Sequence, residues 1–235
     1  MTALSPAVLA IPGPFEHELV HTRGTRLHAA VAGAPQAPLV LFLHDCLGGW
    51  FDFRHLFEPL SADFHVVAMS ARGFAQSDKP PMGYSLREGV GDISGMIRAL
   101  GHGKATIVAA GTAARLATSL AANYPERVRS LILTDARTRL SPRTLLLARA
   151  ATNLPDFVAG RSLPPALRTE RTLELRALSY QIGGTQHARV KHAKLPGTPL
   201  PVKWTSRIEV PVRYASGMPY VADPVAFAEQ VQLAT

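Results

Sequence analysis

The 235-residue sequence predicts an α/β fold on a mostly parallel, doubly wound sheet. Short, continuous apolar runs recur along it, as expected for strands buried on both faces. Between them lie segments whose apolar residues return every three or four positions, the period of a helix with one buried face. Strands and helices in alternation imply a parallel sheet covered on both sides, because each crossover must pass over one face of the sheet.

The elements follow in order. Residues 1–14 are read as an extension. They lack a basic n-region, and Pro12 and Pro14 interrupt their apolar stretch, so no signal peptide is expected. Glu18 to His21 and Leu27 to Val31 predict two strands joined by the turn Arg23-Gly24-Thr25. Further strands are predicted at 38–43, 65–69, 105–109, 128–134 and 210–214. Ser85-Leu86-Arg87-Glu88 is a capping box, opening a helix over 85–100 that buries Leu86, Val90, Ile93, Ile97 and Leu100. Leu116, Leu120 and Tyr124 predict a second buried face over 113–124.

The segment 137–208 breaks this alternation. It is basic, interrupted by proline and helical in pieces such as 141–147, and reads as an insertion into a core made of 15–136 and 209–235. The chain carries a formal charge of +8, and from Arg137 to Arg213 fourteen Arg or Lys face only Asp156, Glu170, Glu174 and Glu209. Such a block suits an acidic protein partner, an anionic membrane surface touched by Leu145 to Leu147, or simply a solvated face. No nucleic-acid motif accompanies it, so nucleic acid is not an expected partner. No apolar run reaches the roughly 18 residues of a spanning helix. Cys46 is alone, which excludes an internal disulfide and a zinc site of paired cysteines. The expectation is a cytoplasmic protein without cofactor or metal; His187 and His192 have no ligand partners nearby in the sequence.

Several stretches then carry a family resemblance. They are Gly24-Thr25-Arg26-Leu27-His28, Leu43-His44-Asp45-Cys46, the aromatic Trp50 to His55, Arg72-Gly73-Phe74-Ala75-Gln76-Ser77-Asp78-Lys79-Pro80 and Tyr124-Pro125-Glu126-Arg127-Val128. The chain resembles the α/β-hydrolase superfamily, and within it the epoxide hydrolases and haloalkane dehalogenases. The similarity runs from about Phe15 to Ala136 and resumes at Ile208 to Val212. It implies an α/β-hydrolase fold with a reduced cap, 137–208, and a short C-terminal part.

The same resemblance locates the chemistry and shows departures from it. The family exposes its nucleophile in a turn of the form small-x-nucleophile-x-small. Here that turn is Ala109-Ala110-Gly111-Thr112-Ala113, with Gly111 at the apex. The oxyanion donors would be the backbone N–H groups of Thr112 and Cys46, but Asp45 and Leu47 replace a Gly and a Pro beside them. Asp45 either opposes the charge developed there or points away to cap the next segment. The last histidine is His192, ahead of the strand over 210–214; Tyr220 takes an expected acidic position, and the chain reaches Thr235 before the family's last strand and histidine loop. Asp135 stands where some relatives keep a triad carboxylate, though capping a loop would also explain it.

Other candidates have ordinary readings beside the functional ones. Thr112 is a displaced nucleophile or a turn residue, Cys46 a nucleophile or a small packed side chain, and Tyr180 a cap donor to a ligand or a core tyrosine. His44, Asp45, Cys46, Trp50, Gly111, Thr112, Asp135 and Tyr180 are therefore the expected pocket residues. Two functions compete. One is a catalytically inactive hydrolase relative that binds a small apolar ligand, regulates, or meets a protein partner through 137–208 or an open sheet edge. The other is an active hydrolase of small epoxides or esters that uses non-standard residues.

Overall fold

A computed structural model describes residues 3–137 and 139–235. The strands are β1 Glu16–Thr22, β2 Thr25–Ala32, β3 Leu39–Leu43, β4 His65–Met69, β5 Ala105–Ala110, β6 Val128–Thr134 and β7 Val212–Ala215. They form one sheet in the order β1-β2-β4-β3-β5-β6-β7. The hairpin β1–β2 and its junction with β4 are antiparallel, and the other pairs are parallel.

Each central strand is apolar throughout because its two faces feed different cores. Leu39, Leu41 and Leu43 of β3 join one cluster, while Val40 and Phe42 join the other. The first core is covered by α2 Leu86–Ala99 and α3 Ala114–Asn123, through Leu86, Val90, Ile93 and Leu120. The second is covered by the turn 50–56, α1 Phe57–Leu60 and two later helices described below. The Ser85–Glu88 capping box forms as expected, with Ser85 N–H donating to Glu88 Oε2 at 3.1 Å.

β1 and β2 each start two residues earlier than expected, at Glu16 and Thr25, because the hairpin ladder pairs up to Thr22 and Thr25, and two further expectations are corrected. Pairing at the last strand starts at Val212, two residues late, because Pro211 has no N–H and offers only its carbonyl, which accepts from Leu131 N–H at 2.9 Å. Tyr124 is not on a buried helix face. It ends α3 with φ −143°, is 39% exposed and stands edge-on to Trp204.

Between β6 and β7 the insertion folds into α4 Pro142–Ala150, α5 Pro155–Ser162, α6 Glu170–Gln181 and α7 Thr185–Lys194. These helices have their own small core, in which Leu147, Ala148, Val158 and Tyr180 pack on Cys46 and Leu47 of the sheet domain. Of the three leucines expected at a membrane surface, Leu147 is buried, Leu145 half-buried and only Leu146 exposed. After β7 come α8 Pro219–Ala222 and α9 Pro224–Gln232, which complete the second core with Tyr220, Phe227 and Val231. Among the described residues no helix is long and apolar enough to cross a membrane.

A buried ion pair locks the insertion to the sheet domain. Arg176 of α6 donates to Asp52 Oδ2 and to Leu47 O, at 2.8 and 2.9 Å, with both charged side chains almost fully buried. The neighbouring Tyr180 hydroxyl donates to the same Leu47 carbonyl at 2.6 Å. Removing one member of such a pair strands the other charge in a dry site. We therefore expect Asp52→Ala to lower unfolding stability by about 3–5 kcal/mol, read from urea denaturation.

Candidate functional site

β5 runs into its helix through a sharp turn. The chain leaves the strand at Ala110, adopts φ +54° at Gly111 and enters α3 by a single 3-10 turn over 111–113. The small residues Ala109, Ala110 and Ala113 are buried beneath it, leaving room for so tight a bend. On the neighbouring strand, β3 delivers His44-Asp45-Cys46-Leu47 to the same level.

The Asp45 carboxylate points into the turn. Its Oδ1 accepts from the Thr112 backbone N–H and from the Thr112 hydroxyl, both at 2.8 Å. Its Oδ2 accepts from Leu47 N–H at 3.3 Å. The Thr112 hydroxyl in turn accepts from Cys46 N–H at 3.1 Å. Both N–H groups that the resemblance assigns to an oxyanion hole are thus engaged within the chain. Of the two orientations open for Asp45, the side chain combines both: it caps the Leu47 turn and occupies the Thr112 donor.

This arrangement explains the glycine. A Cβ at position 111 would stand 2.4 Å from Asp45 Oδ1 and 2.7 Å from its Cγ, so any side chain there collides with the carboxylate. The positive φ adds a second reason, since L-residues with a Cβ are strained in that region.

Charge balance comes from the segment that leads into α4. Burial by itself would push the Asp45 carboxyl up; Arg137, with the Thr112 and Leu47 donors, outweighs it and holds the carboxyl below its ordinary value. Arg137 N–H donates to Gly111 O at 3.2 Å, and its guanidinium donates to Thr144 Oγ1 at 2.5 Å and pairs with Asp135 at 3.3 Å. Asp135 itself has φ +45° and its N–H donates to Ala215 O, so it serves the loop after β6 while half exposed to the cleft.

A cleft of about 730 Å³ opens between the sheet and the insertion, and Asp45, Gly111 and Asp135 are on its wall. Five arginines share that wall: Arg137, Arg143, Arg161, Arg168 and Arg176. The remaining expected pocket residues are behind it. Cys46 is buried in the core of the insertion, and burial pushes its thiol well up, away from the reactive thiolate. Thr112 is 1% exposed, with its hydroxyl committed as described. Trp50 packs against Phe15, His17 and His28. His44 accepts from Ala71 N–H through Nε2, which leaves Nδ1 to donate to Asp45 O at 2.8 Å. Tyr180 spends its hydroxyl on Leu47 O, and burial raises it further. His192 is buried against Phe74, and burial brings it down to about 3. Among the described residues no histidine lines the cleft.

The arginines were not singled out from the sequence. Their only signal was the excess of basic residues over 137–213, which does not distinguish a cleft from a solvated surface.

A family model described as alpha/beta hydrolase fold matches residues 38–208. The chain is 33% identical over 120 residues to epoxide hydrolase 1 of Caenorhabditis elegans, covering 50% of this chain and 30% of that protein. It is 39% identical over 98 residues to 2-(acetamidomethylene)succinate hydrolase of Mesorhizobium japonicum, covering 42% and 35%. Each match therefore spans about a third of the relative's length. Among solved structures, the epoxide hydrolase CorEH superposes with a TM-score of 0.74 at 16% identity, over 93% of this chain and 98% of that one.

Two outcomes follow from the Asp45–Gly111 contact. Gly111→Ala should lower stability by about 2–4 kcal/mol, through overpacking and backbone strain. In an Asp45→Gly background only a strain cost of about 1 kcal/mol remains, so a double-mutant cycle in urea should give a coupling above about 1 kcal/mol. The depressed Asp45 also predicts a pH dependence. Its contribution is fully present above its ordinary value of 3.8 and is lost as the pH falls through its lower folded value. Denaturation midpoints measured between about pH 6 and pH 3 should therefore fall less steeply in Asp45→Asn than in the parent.

Proposed function

The chain belongs to the α/β-hydrolase fold family, and we propose that it is a non-catalytic member, similar to epoxide hydrolases, that holds a ligand or partner at the cleft without turning it over. One observation carries this reading: a carboxylate of the chain itself sits on the Thr112 N–H, under a turn whose apex is glycine. Covalent hydrolysis needs a nucleophile on the elbow, free donors for the developing oxyanion and a base within reach. Position 111 offers no side chain, the Thr112 and Cys46 donors are satisfied, and His44 and His192 are buried behind the cleft, out of reach of a ligand on its wall.

The position of the same carboxylate favours a second reading, in which Asp45 is a transplanted nucleophile. It is ionised, faces the cleft and stands within 2.4 Å of where a side chain on residue 111 would begin. A carboxylate oxygen that attacks a ring carbon of an epoxide forms a C–O ester bond. The ring C–O bond breaks, and the released alkoxide takes a proton from water. Nothing leaves, so the protein would gain the full mass of the epoxide. With no histidine among the described residues on the cleft wall to activate water, that ester would accumulate.

The two readings separate in one experiment. Purified protein is incubated with a panel of small epoxides and activated esters while product and intact protein mass are followed, with Asp45→Asn as control. The expected result is neither turnover above the control nor a mass gain. A stoichiometric adduct that is lost in Asp45→Asn would establish the second reading, and sustained turnover would refute the first.

A further inference from the structure

We infer that the cleft receives a small organic anion with two or more charges, carboxylate- or phosphate-bearing, gripped by Arg143, Arg161 and Arg168. The inference rests on the non-catalytic reading and names the class of ligand that the cleft would hold.

The charges on the wall do not cancel. Five guanidiniums face two carboxylates, and Arg137 stands by both, its single charge offsetting one of the two. Arg176 is answered by Asp52 at 2.8 Å, outside the cleft wall. Among the described residues, Arg143, Arg161 and Arg168 have no carboxylate within ion-pair distance. Three guanidiniums without an ion-pair partner thus line one concavity from three different segments, α4, α5 and the loop that leads to α6, and with the carboxylates counted the wall keeps a surplus of two positive charges.

Two of these side chains are already constrained. Arg168 donates from Nε and Nη2 to Leu163 O, both at 3.2 Å, which fixes the plane of its guanidinium and leaves the Nη1 donors unspent. Arg161 has its guanidinium 5.3 Å from the centre of the Phe157 ring. A guanidinium held in this way loses less freedom on binding and presents its fork of donors to a planar anion. The first turn of α4, with Ser141, Arg143 and Thr144, is on the same wall, so the positive end of a nine-residue helix adds to the field.

Size and relief limit the ligand further. A volume of about 730 Å³ suits a small molecule and not a folded partner. Leu147, Leu163, Pro164 and Met218 supply an apolar shelf for a carbon skeleton beside the charges. A neutral apolar epoxide would have to cover three guanidiniums that lack an ion-pair partner, whose desolvation it could not repay. An organic polyanion satisfies both parts of the wall.

Isothermal titration calorimetry on the full chain tests this, with succinate, citrate and inorganic phosphate as probes, and with acetate and poly-glutamate as comparisons. Arg143→Gln and Arg168→Gln are the site variants. Arg149→Gln, on α4 but absent from the cleft wall, is the control, and circular dichroism checks that each variant folds. The expected result is saturable binding of at least one polyanion. Affinity should fall at least about tenfold in each site variant, stay unchanged in Arg149→Gln and weaken as salt rises. A preference for phosphate or for the carboxylates tells which headgroup the site takes. No saturable binding of any of the three, equal loss in Arg149→Gln, or far tighter binding of poly-glutamate would overturn the inference. Epoxide turnover with polyanion binding intact would instead remove the non-catalytic reading and leave this site standing.

Discussion

An ionised carboxylate tucked under the turn after β5 decides what the rest of this site is. Asp45 takes the Thr112 N–H and hydroxyl, and through that hydroxyl the Cys46 N–H is taken as well. Its bulk requires Gly111, and its buried charge requires a cation close by, which Arg137 supplies from the start of the insertion. The three positions form one unit. A side chain at 111, a free oxyanion hole and the present Asp45 cannot coexist, because they ask for the same few cubic ångströms and the same donors.

The second dependence runs between the insertion and the sheet domain. Leu47 O collects donors from both Arg176 and Tyr180, and Asp52 balances Arg176 in a site with almost no solvent. A buried ion pair is weak as a source of net stability, but it is exacting about geometry, since either charge alone would be costly. It therefore fixes where α6 stands over the loop after β3. That placement puts the arginines of the insertion on the wall of the same cleft as the elbow.

The cleft and the elbow are chemically consistent with one another. An oxyanion hole keeps unpaired donors ready for negative charge that develops only in the transition state. Here those donors already hold a permanent negative charge supplied by the chain, and the arginines without an ion-pair partner, Arg143, Arg161 and Arg168, stand on the wall of the same cleft.

Much of the fold was legible in the sequence. Continuous apolar runs announce strands buried on two faces, and β4 and β6 begin and end where those runs do. The Ser85–Glu88 box and the glycine at 111 are equally local signals, as is the loss of side-chain chemistry at the elbow. Tyr124 and the late start of β7 were misread, because an exposed helix end and a proline at a strand edge depend on neighbours outside the local period. The sequence by itself determined the class of fold and the absence of a side chain at 111, because both follow from short-range pattern. Only the tertiary structure decided that Asp45 fills the donors, that Cys46, Thr112 and Tyr180 stand behind the wall, and that five scattered arginines share one cleft. Those facts join residues tens of positions apart, such as Asp45 to Thr112 and Asp52 to Arg176. Their meeting is set by strand order and by the docking of the insertion, neither of which a local pattern records.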